Sequence, residues 1–174
     1  MTRLILSVTG SDRPGLTEAL ASAVLNAGGN WLESHLSRLG GLYVGSVLVE
    51  LSEAHIEDLR AAVGGVDNHG LEVRIAAAPN APRVTGDTLD LDLVGQDQPG
   101  IVHRVARVLS GLGANIESFD TRLSLEAHSG GQLFHLDARL RLPPGVDAAA
   151  VQSALEGISA EIMVDISLRP TSVA

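Results

Sequence analysis

Gly10-Ser11-Asp12-Arg13-Pro14-Gly15-Leu16 recurs as Gly95-Gln96-Asp97-Gln98-Pro99-Gly100-Ile101. Each copy follows an alternating apolar run and opens a segment with helical spacing. Each is therefore expected to be a strand-to-helix turn whose backbone N–H groups face outward. Gly95 minus Gly10 is 85, Asp97 minus Asp12 and Pro99 minus Pro14 repeat that offset, and the chain has 174 residues, close to twice the offset. The sequence reads as two tandem copies of one small domain, each with a modest core.

Outward from the first turn, Leu4, Leu6 and Val8 alternate with Arg3, Ser7 and Thr9, the period of a half-buried strand. Leu16, Leu20, Ala23, Val24 and Ala27 recur at steps of three and four, a helix that Gly28-Gly29 stops. Trp31 to Leu39 and Leu42 to Leu51 flank Gly40-Gly41, residue types suited to a tight hairpin with positive φ. Ile56, Leu59, Ala62 and Val63 predict a second helix ended by Gly64-Gly65, and Leu71 to Ala77 a fourth strand.

The second copy repeats this order. Leu89, Leu91 and Leu93 alternate with Asp90 and Asp92, and Ile101, Val105, Val108, Leu109 and Leu112 mark a helix stopped at Gly113. Ile116 to Leu125 and Leu133 to Leu142 form a longer hairpin around His128-Ser129-Gly130-Gly131. Val151, Leu155 and Ile158 mark the last helix, and Ile162 to Leu168 the last strand. Strand, helix, strand, strand, helix, strand is the ferredoxin-like βαββαβ arrangement. The fold class expected is α+β, two antiparallel sheets with helices on one face. The domains are expected at 1–78 and 88–170, with a proline-containing linker over 79–87 and a tail over 171–174.

The chain carries 21 acidic and 12 basic residues, a formal net charge of −9, and all the basic residues are scattered arginines. Direct nucleic-acid binding is disfavoured, because phosphate neutralisation needs a clustered basic face. Lysine is absent, which excludes a Schiff base and the usual attachment of pyridoxal phosphate. Cysteine is absent, which excludes disulfides, thiolate nucleophiles and thiolate zinc sites. The apolar run Leu4 to Val8 is too short for a signal-peptide core and no stretch approaches the ~20 apolar residues of a membrane span, so a cytoplasmic protein without membrane attachment is expected.

Proline suits the first helical position, so Pro14 and Pro99 are expected to place Gly15-Leu16 and Gly100-Ile101 in the first turn. Free N–H groups and the positive end of the helix dipole favour an anion there. Asp12 and Asp97 lie just outside, where their carboxylates would accept the same N–H groups and cap the helix. A zwitterionic amino acid would use the turn differently, with its carboxylate on the N–H groups and its ammonium near the aspartate. Asn30 and Asn115, where each helix hands over to the next strand, would add a donor and an acceptor.

The ferredoxin-like order, the G-x-D-x-P-G-[LI] turns and the endings Gly28-Gly29-Asn30 and Gly113-Ala114-Asn115 resemble tandem ACT domains over nearly the whole chain. That resemblance implies a small-molecule regulatory module that commonly binds amino acids at interfaces between paired copies. The residues implied are Asp12, Gly15, Leu16, Asn30, Asp97, Gly100, Ile101 and Asn115. Two copies that each open with D-x-P-G are similar to the glycine cleavage system transcriptional repressor family. This implies a non-enzymatic regulator that represses by associating with a DNA-binding activator, with glycine or a similar small amino acid as effector and no other cofactor.

Two departures stand out: Arg13 against Gln98, and one additional residue before Glu33-Ser34 compared with Glu117-Ser118. They imply two sites that differ in ligand, or one that is silent.

Other constellations are weaker. His35, His55, His69, His103, His128 and His135 lie on different expected elements without ligand-type spacing, so no metal is expected. Asp90 and Asp92 read as a solvated sheet face rather than an acid–base pair. Trp31, Tyr43, Phe119 and Phe134 lack the basic surface of an RNA-stacking platform, and Trp31 and Tyr43 read as core or interface packing. A ligand-free interaction module on the same fold is the alternative function. A small hydrolase would need an arginine beside a nucleophile, and Arg13 occurs in the first copy alone. Unpaired sheet edges lead to an expectation of edge pairing within or between chains, including homo-oligomers.

Overall fold

The computed structural model describes residues 1–67, 70–79, 86–125 and 130–171. Residues 80–85 of the expected linker, part of the second hairpin loop including His128, the end of the tail, and His69 lie outside the described residues. The chain divides into two compact units, Met1–Ala81 and Pro82–Ala174. The first contains β1 (Thr2–Ser11), α1 (Leu16–Asn26), β2 (Asn30–Leu39), β3 (Leu42–Leu51), α2 (Ile56–Asp67) and β4 (Leu71–Ala77). The second contains β5 (Thr88–Gln96), α3 (Ile101–Gly111), β6 (Asn115–Leu125), β7 (Gln132–Arg141), α4 (Ala148–Ile162) and β8 (Val164–Pro170). Each unit is a four-stranded antiparallel sheet, ordered β2-β3-β1-β4 and β6-β7-β5-β8.

Alternation decides which strand face is covered. Leu4, Leu6 and Val8 of β1 and Val47, Val49 and Leu51 of β3 share one core with Leu16, Leu20 and Val24 of α1 and Leu59, Val63 and Val66 of α2. Leu89, Leu91 and Leu93 meet Val105, Leu109, Val151 and Leu155 in the same way in the second unit. Burying each such side chain contributes about 1.5–3 kcal/mol, which makes these two cores the main source of stability. Trp31 and Tyr43 pack against the first core and Phe119 against the second, while Phe134 is within it. At the first hairpin, Gly40 and Gly41 have φ of 60° and 88°, the two positive values that the tight turn requires.

Three details differ from the sequence reading. The helix α2 does not stop at Gly64-Gly65 but runs to Asp67. Val66 continues the buried stripe from Leu59 and Val63, and that packing outweighs a glycine penalty of about 1 kcal/mol per residue. Ile162 belongs to α4 rather than to the last strand, because Met163 adopts φ 48° and ends the helix.

The third concerns register. One residue is extra between Trp31 and Glu33, and one between Ile116 and Ser118, relative to the partner strands. Leu32 and Glu117 thus occupy equivalent bulges, the offset of 85 continues through the strand, and Glu33-Ser34 is not the counterpart of Glu117-Ser118. Pairing across the sheet sets this equivalence, because a one-residue slip would turn every side chain to the other face. It also matches Tyr43 with Phe134, which lie opposite Gly10 and Gly95 respectively.

The two glycines that open the repeated turn are required by close approach. A Cβ on Gly10 would overlap the Gly70 carbonyl oxygen and stand 2.9 Å from Leu71 Cα, and one on Gly95 would lie 2.5 Å from the Met163 carbonyl oxygen. Gly157, inside α4, has nothing within 4 Å of such an atom. Gly10→Ala and Gly95→Ala are expected to destabilise the protein by about 1–3 kcal/mol, whereas Gly157→Ala stabilises it by about 0.4–1 kcal/mol. Urea unfolding of the three variants measures both signs.

Candidate functional site

The turn itself is built differently from the sequence expectation. Gly15 and Gly100 are the N-caps of α1 and α3, with φ of 93° and 97°, so the helices begin at Leu16 and Ile101 and the prolines lie outside them. A proline preceding the N-cap guides the entering chain, and the left-handed glycine swings it abruptly into the helix. Nothing lies within 4 Å of a Cβ built on either residue, so conformation alone selects glycine here. Neither helix has a side-chain cap. The self-capping role expected of Asp12 and Asp97 is therefore corrected: the N-cap position is a glycine in each copy, and no side chain caps the helix from it.

The Asp12 carboxylate instead takes Nε of Arg38 at 2.9 Å, and the Asp97 N–H donates to the Gln132 carbonyl at 2.9 Å. Around the first turn, Asp12, Arg13, Gly15, Thr17, Glu18 and Tyr43 line an open pocket of about 540 Å³. The Thr17 and Tyr43 hydroxyls are 2.7 Å apart. Among the described residues the Arg13 guanidinium has no hydrogen-bond or ion-pair partner, and it lies against Gly70. An unpaired cation, two hydroxyls and three helix N–H groups form a setting for a carboxylate, while Asp12 and Glu18 offer acceptors to an ammonium.

The second turn lacks that cation and both hydroxyls. Gln98, in place of Arg13, donates its Nε2–H to the Ile162 carbonyl at 2.7 Å and ties the turn to the end of α4. Val102 replaces Thr17 and Phe134 replaces Tyr43. Asp97 lines a smaller pocket of about 360 Å³ with Gln96, Gly131 and Gln132. Within a unit, Asn30 does not join the turn. It lies opposite Glu50 on β3 whereas the turn lies opposite Tyr43, seven residues or about 23 Å along the strand. Asn115, opposite Arg141, is at the corresponding far end of the second sheet. Within the first unit the structure thus brings together Asp12, Gly15 and Leu16 and leaves Asn30 apart from them, and within the second it brings together Asp97, Gly100 and Ile101 and leaves Asn115 apart.

Sequence reasoning missed Thr17 and Tyr43 as site residues. The helical position of Thr17 was legible, but the facing position of Tyr43 depends on strand register.

Asp90 and Asp92 lie on the face of the second sheet away from the helices, paired with Arg139 at 3.1 Å and with Arg169. Asp92, Asp137 and Asp120 stand in one row across β5, β7 and β6. Burial raises the Asp137 pKa, but hydrogen bonds with Arg122 at 2.6 Å and with Asp92, and the charges of Arg122 and His135, outweigh it and hold the carboxyl below its ordinary 3.8. Among the described residues no cluster of three or more His, Cys, Asp or Glu is arranged to hold a metal, and no helix is long and apolar enough to cross a membrane.

The fold and these turns define a class. Residues 2–76 match the ACT domain family, so the first unit is an ACT domain, and the second unit repeats its element order and sheet order. The chain is 28% identical to phosphoserine phosphatase SerB2 of Mycobacterium tuberculosis, over 98% of its own length but only 41% of that relative's. It is 23% identical to the glycine cleavage system transcriptional repressor of Escherichia coli, over 91% of this chain and 85% of the repressor. A crystal structure of an unknown protein from Galdieria sulphuraria superimposes with a TM-score of 0.86 at 28% identity, covering 98% of this chain and 99% of that one.

Two outcomes follow. Gln98→Ala leaves the Ile162 carbonyl without its partner and should cost about 1–3 kcal/mol, while Arg13→Ala should change stability by less than about 0.5 kcal/mol; chemical denaturation separates them. Because the Asp137 pKa is lower folded than unfolded, its contribution to stability is present above about pH 4 and lost as pH falls through the folded value. Asp137→Asn should flatten the acid limb of stability measured by urea unfolding between about pH 5 and 2.5.

Proposed function

We propose that this protein is a non-enzymatic regulator that senses a small amino acid, and that the effector binds at the β1–α1 turn of the first unit. The observation that carries this reading is the asymmetry of the turns: Asp12, Arg13, Thr17 and Tyr43 surround one uncapped helix start, whereas Asp97, Gln98, Val102 and Phe134 surround the other. The effector carboxylate takes the Arg13 guanidinium and the N–H groups after Gly15, and its ammonium takes Asp12. In this reading the second turn is structural: Asp97, Gly100 and Ile101 there, and Asn115 at the far end of the sheet, bind no effector.

The regulated process is repression of glycine cleavage, exercised in the cytoplasm through a DNA-binding activator rather than by contact with DNA. Similarity to the Escherichia coli repressor along most of both chains supports it, as does the net charge of −9, which opposes phosphate binding. The effector acts by binding the free and partner-bound states unequally.

A second reading rests on the likeness to phosphoserine phosphatase SerB2, of which the matched part is less than half. Here the same two units serve as the amino-acid-sensing part of an enzyme system that handles serine. Effector preference separates the readings, since glycine is expected in the first and serine in the second.

Thermal unfolding of the full chain with glycine, serine and branched amino acids tests the site. One of them should raise the midpoint saturably, by an amount equivalent to about 2.7 kcal/mol at ~100 times its dissociation constant. Arg13→Ala and Asp12→Ala should abolish the rise and Asp97→Ala should preserve it. No shift with any amino acid at millimolar concentration would reject effector sensing in favour of a ligand-free interaction module.

A further inference from the structure

A cleft of about 660 Å³ opens between α3 and α4 of the second unit, within the range of small-molecule sites. Its rim is His103, Arg104 and Arg107 of α3, and its floor is the half-buried Val108, Leu112 and Ile158. His103 and Arg107 are four residues apart, so their side chains are neighbours on one helical face. The next position on that face is Gly111, where nothing lies within 4 Å of an added Cβ, which leaves room beside the Arg107 guanidinium.

The charges are not matched. The Arg104 guanidinium is paired with Glu161 across the cleft at 3.0 Å. Arg107 and His103 have no hydrogen-bond or ion-pair partner among the described residues. Local excess of positive charge in a chain of net charge −9 points to an anion. The first unit supplies an internal comparison, because the positions equivalent to His103, Arg104 and Arg107 are Glu18, Ala19 and Ser22, and Glu18 there accepts from Ser22 at 2.8 Å. The repeated fold therefore does not require the cationic rim.

We propose that this cleft binds a small amphipathic carboxylate, a branched-chain 2-oxo acid or a short aliphatic acid, distinct from the effector of the first turn. Arg107 grips the carboxylate through its planar fork, His103 adds a ring N–H, and Val108, Leu112 and Ile158 take the aliphatic end. An amino acid fits less well. Glu161 is the acidic residue of the lining and Arg104 holds its carboxylate, so an ammonium would have to share it beside the Arg104 and Arg107 guanidiniums, whose like charge repels it.

Amide NMR of the ¹⁵N-labelled full chain, titrated with 4-methyl-2-oxopentanoate and in parallel with leucine, tests this. Saturable shifts confined to α3 and α4 are expected with the oxo acid. Binding should weaken at least about ten-fold in Arg107→Gln and at least about ten-fold for leucine. Arg107 is exposed, so the variant should retain the parent spectrum elsewhere. The proposal is overturned by absence of saturable shifts at millimolar ligand, by shifts centred on residues 12–18, by an unchanged affinity in Arg107→Gln, or by leucine binding as tightly as the oxo acid. Shifts of these amides with protein concentration, unaffected by ligand, would place a second copy in the cleft and also overturn it. Arg13→Ala should leave the response intact, so this site and the first-turn site fail independently.

Discussion

Each unit depends on a glycine held in the left-handed region between a central strand and the helix that follows it. With φ near 95° the chain changes direction within one residue, so the helix returns immediately across the face of the sheet it has just left. Any other residue would raise the energy of that conformation by about 1–2 kcal/mol, and a gentler turn would carry Leu16 and Ile101 away from the cores they enter. The same geometry leaves the helix start without a side-chain cap. A structural requirement of the fold thus produces, as a by-product, a cluster of N–H donors without a side-chain cap.

The two copies have spent that by-product differently. In the second, Gln98 bonds to the end of α4, and the hydroxyl positions are taken by an exposed Val102 and a core Phe134, so the turn is tied into the unit without the polar groups. In the first, the equivalent positions are charged or hydroxylated and the Arg13 guanidinium has no partner among the described residues. The reverse holds on the helical face, where α3 carries the cations and α1 the acidic and small residues. The two copies thus carry their polar features at different positions on the same element order and sheet order.

The outer face of the second sheet follows another logic. Like charges directly opposite each other destabilise a sheet, yet Asp92, Asp137 and Asp120 stand in one row. Arg169 and Arg122 pair with Asp92 and Asp137, while Arg139 on β7 pairs with Asp90 beside them. Partly exposed ion pairs of this kind each contribute about 0–1 kcal/mol. Their effect is to make a solvated surface of central strands whose other face is entirely apolar.

Composition, alternation and the 85-residue offset were enough to determine two βαββαβ units, because hydrophobic periodicity and turn chemistry are local properties of a chain. Leu89, Leu91 and Leu93 declare a half-buried strand, and Gly40-Gly41 a hairpin, without reference to anything distant. The lengths of α2 and α4 were not local: Val66 holds α2 past two glycines through a contact with the core, and Met163 ends α4 against expectation. The candidate site was legible only as a turn. That Asp12 turns to Arg38, that Tyr43 meets Thr17, that Gln98 reaches Ile162 and that Asn30 lies about 23 Å away were decided by strand register and packing. Those pairings join residues up to 64 positions apart, and no pattern along the chain encodes a distance that exists only once the sheet has closed.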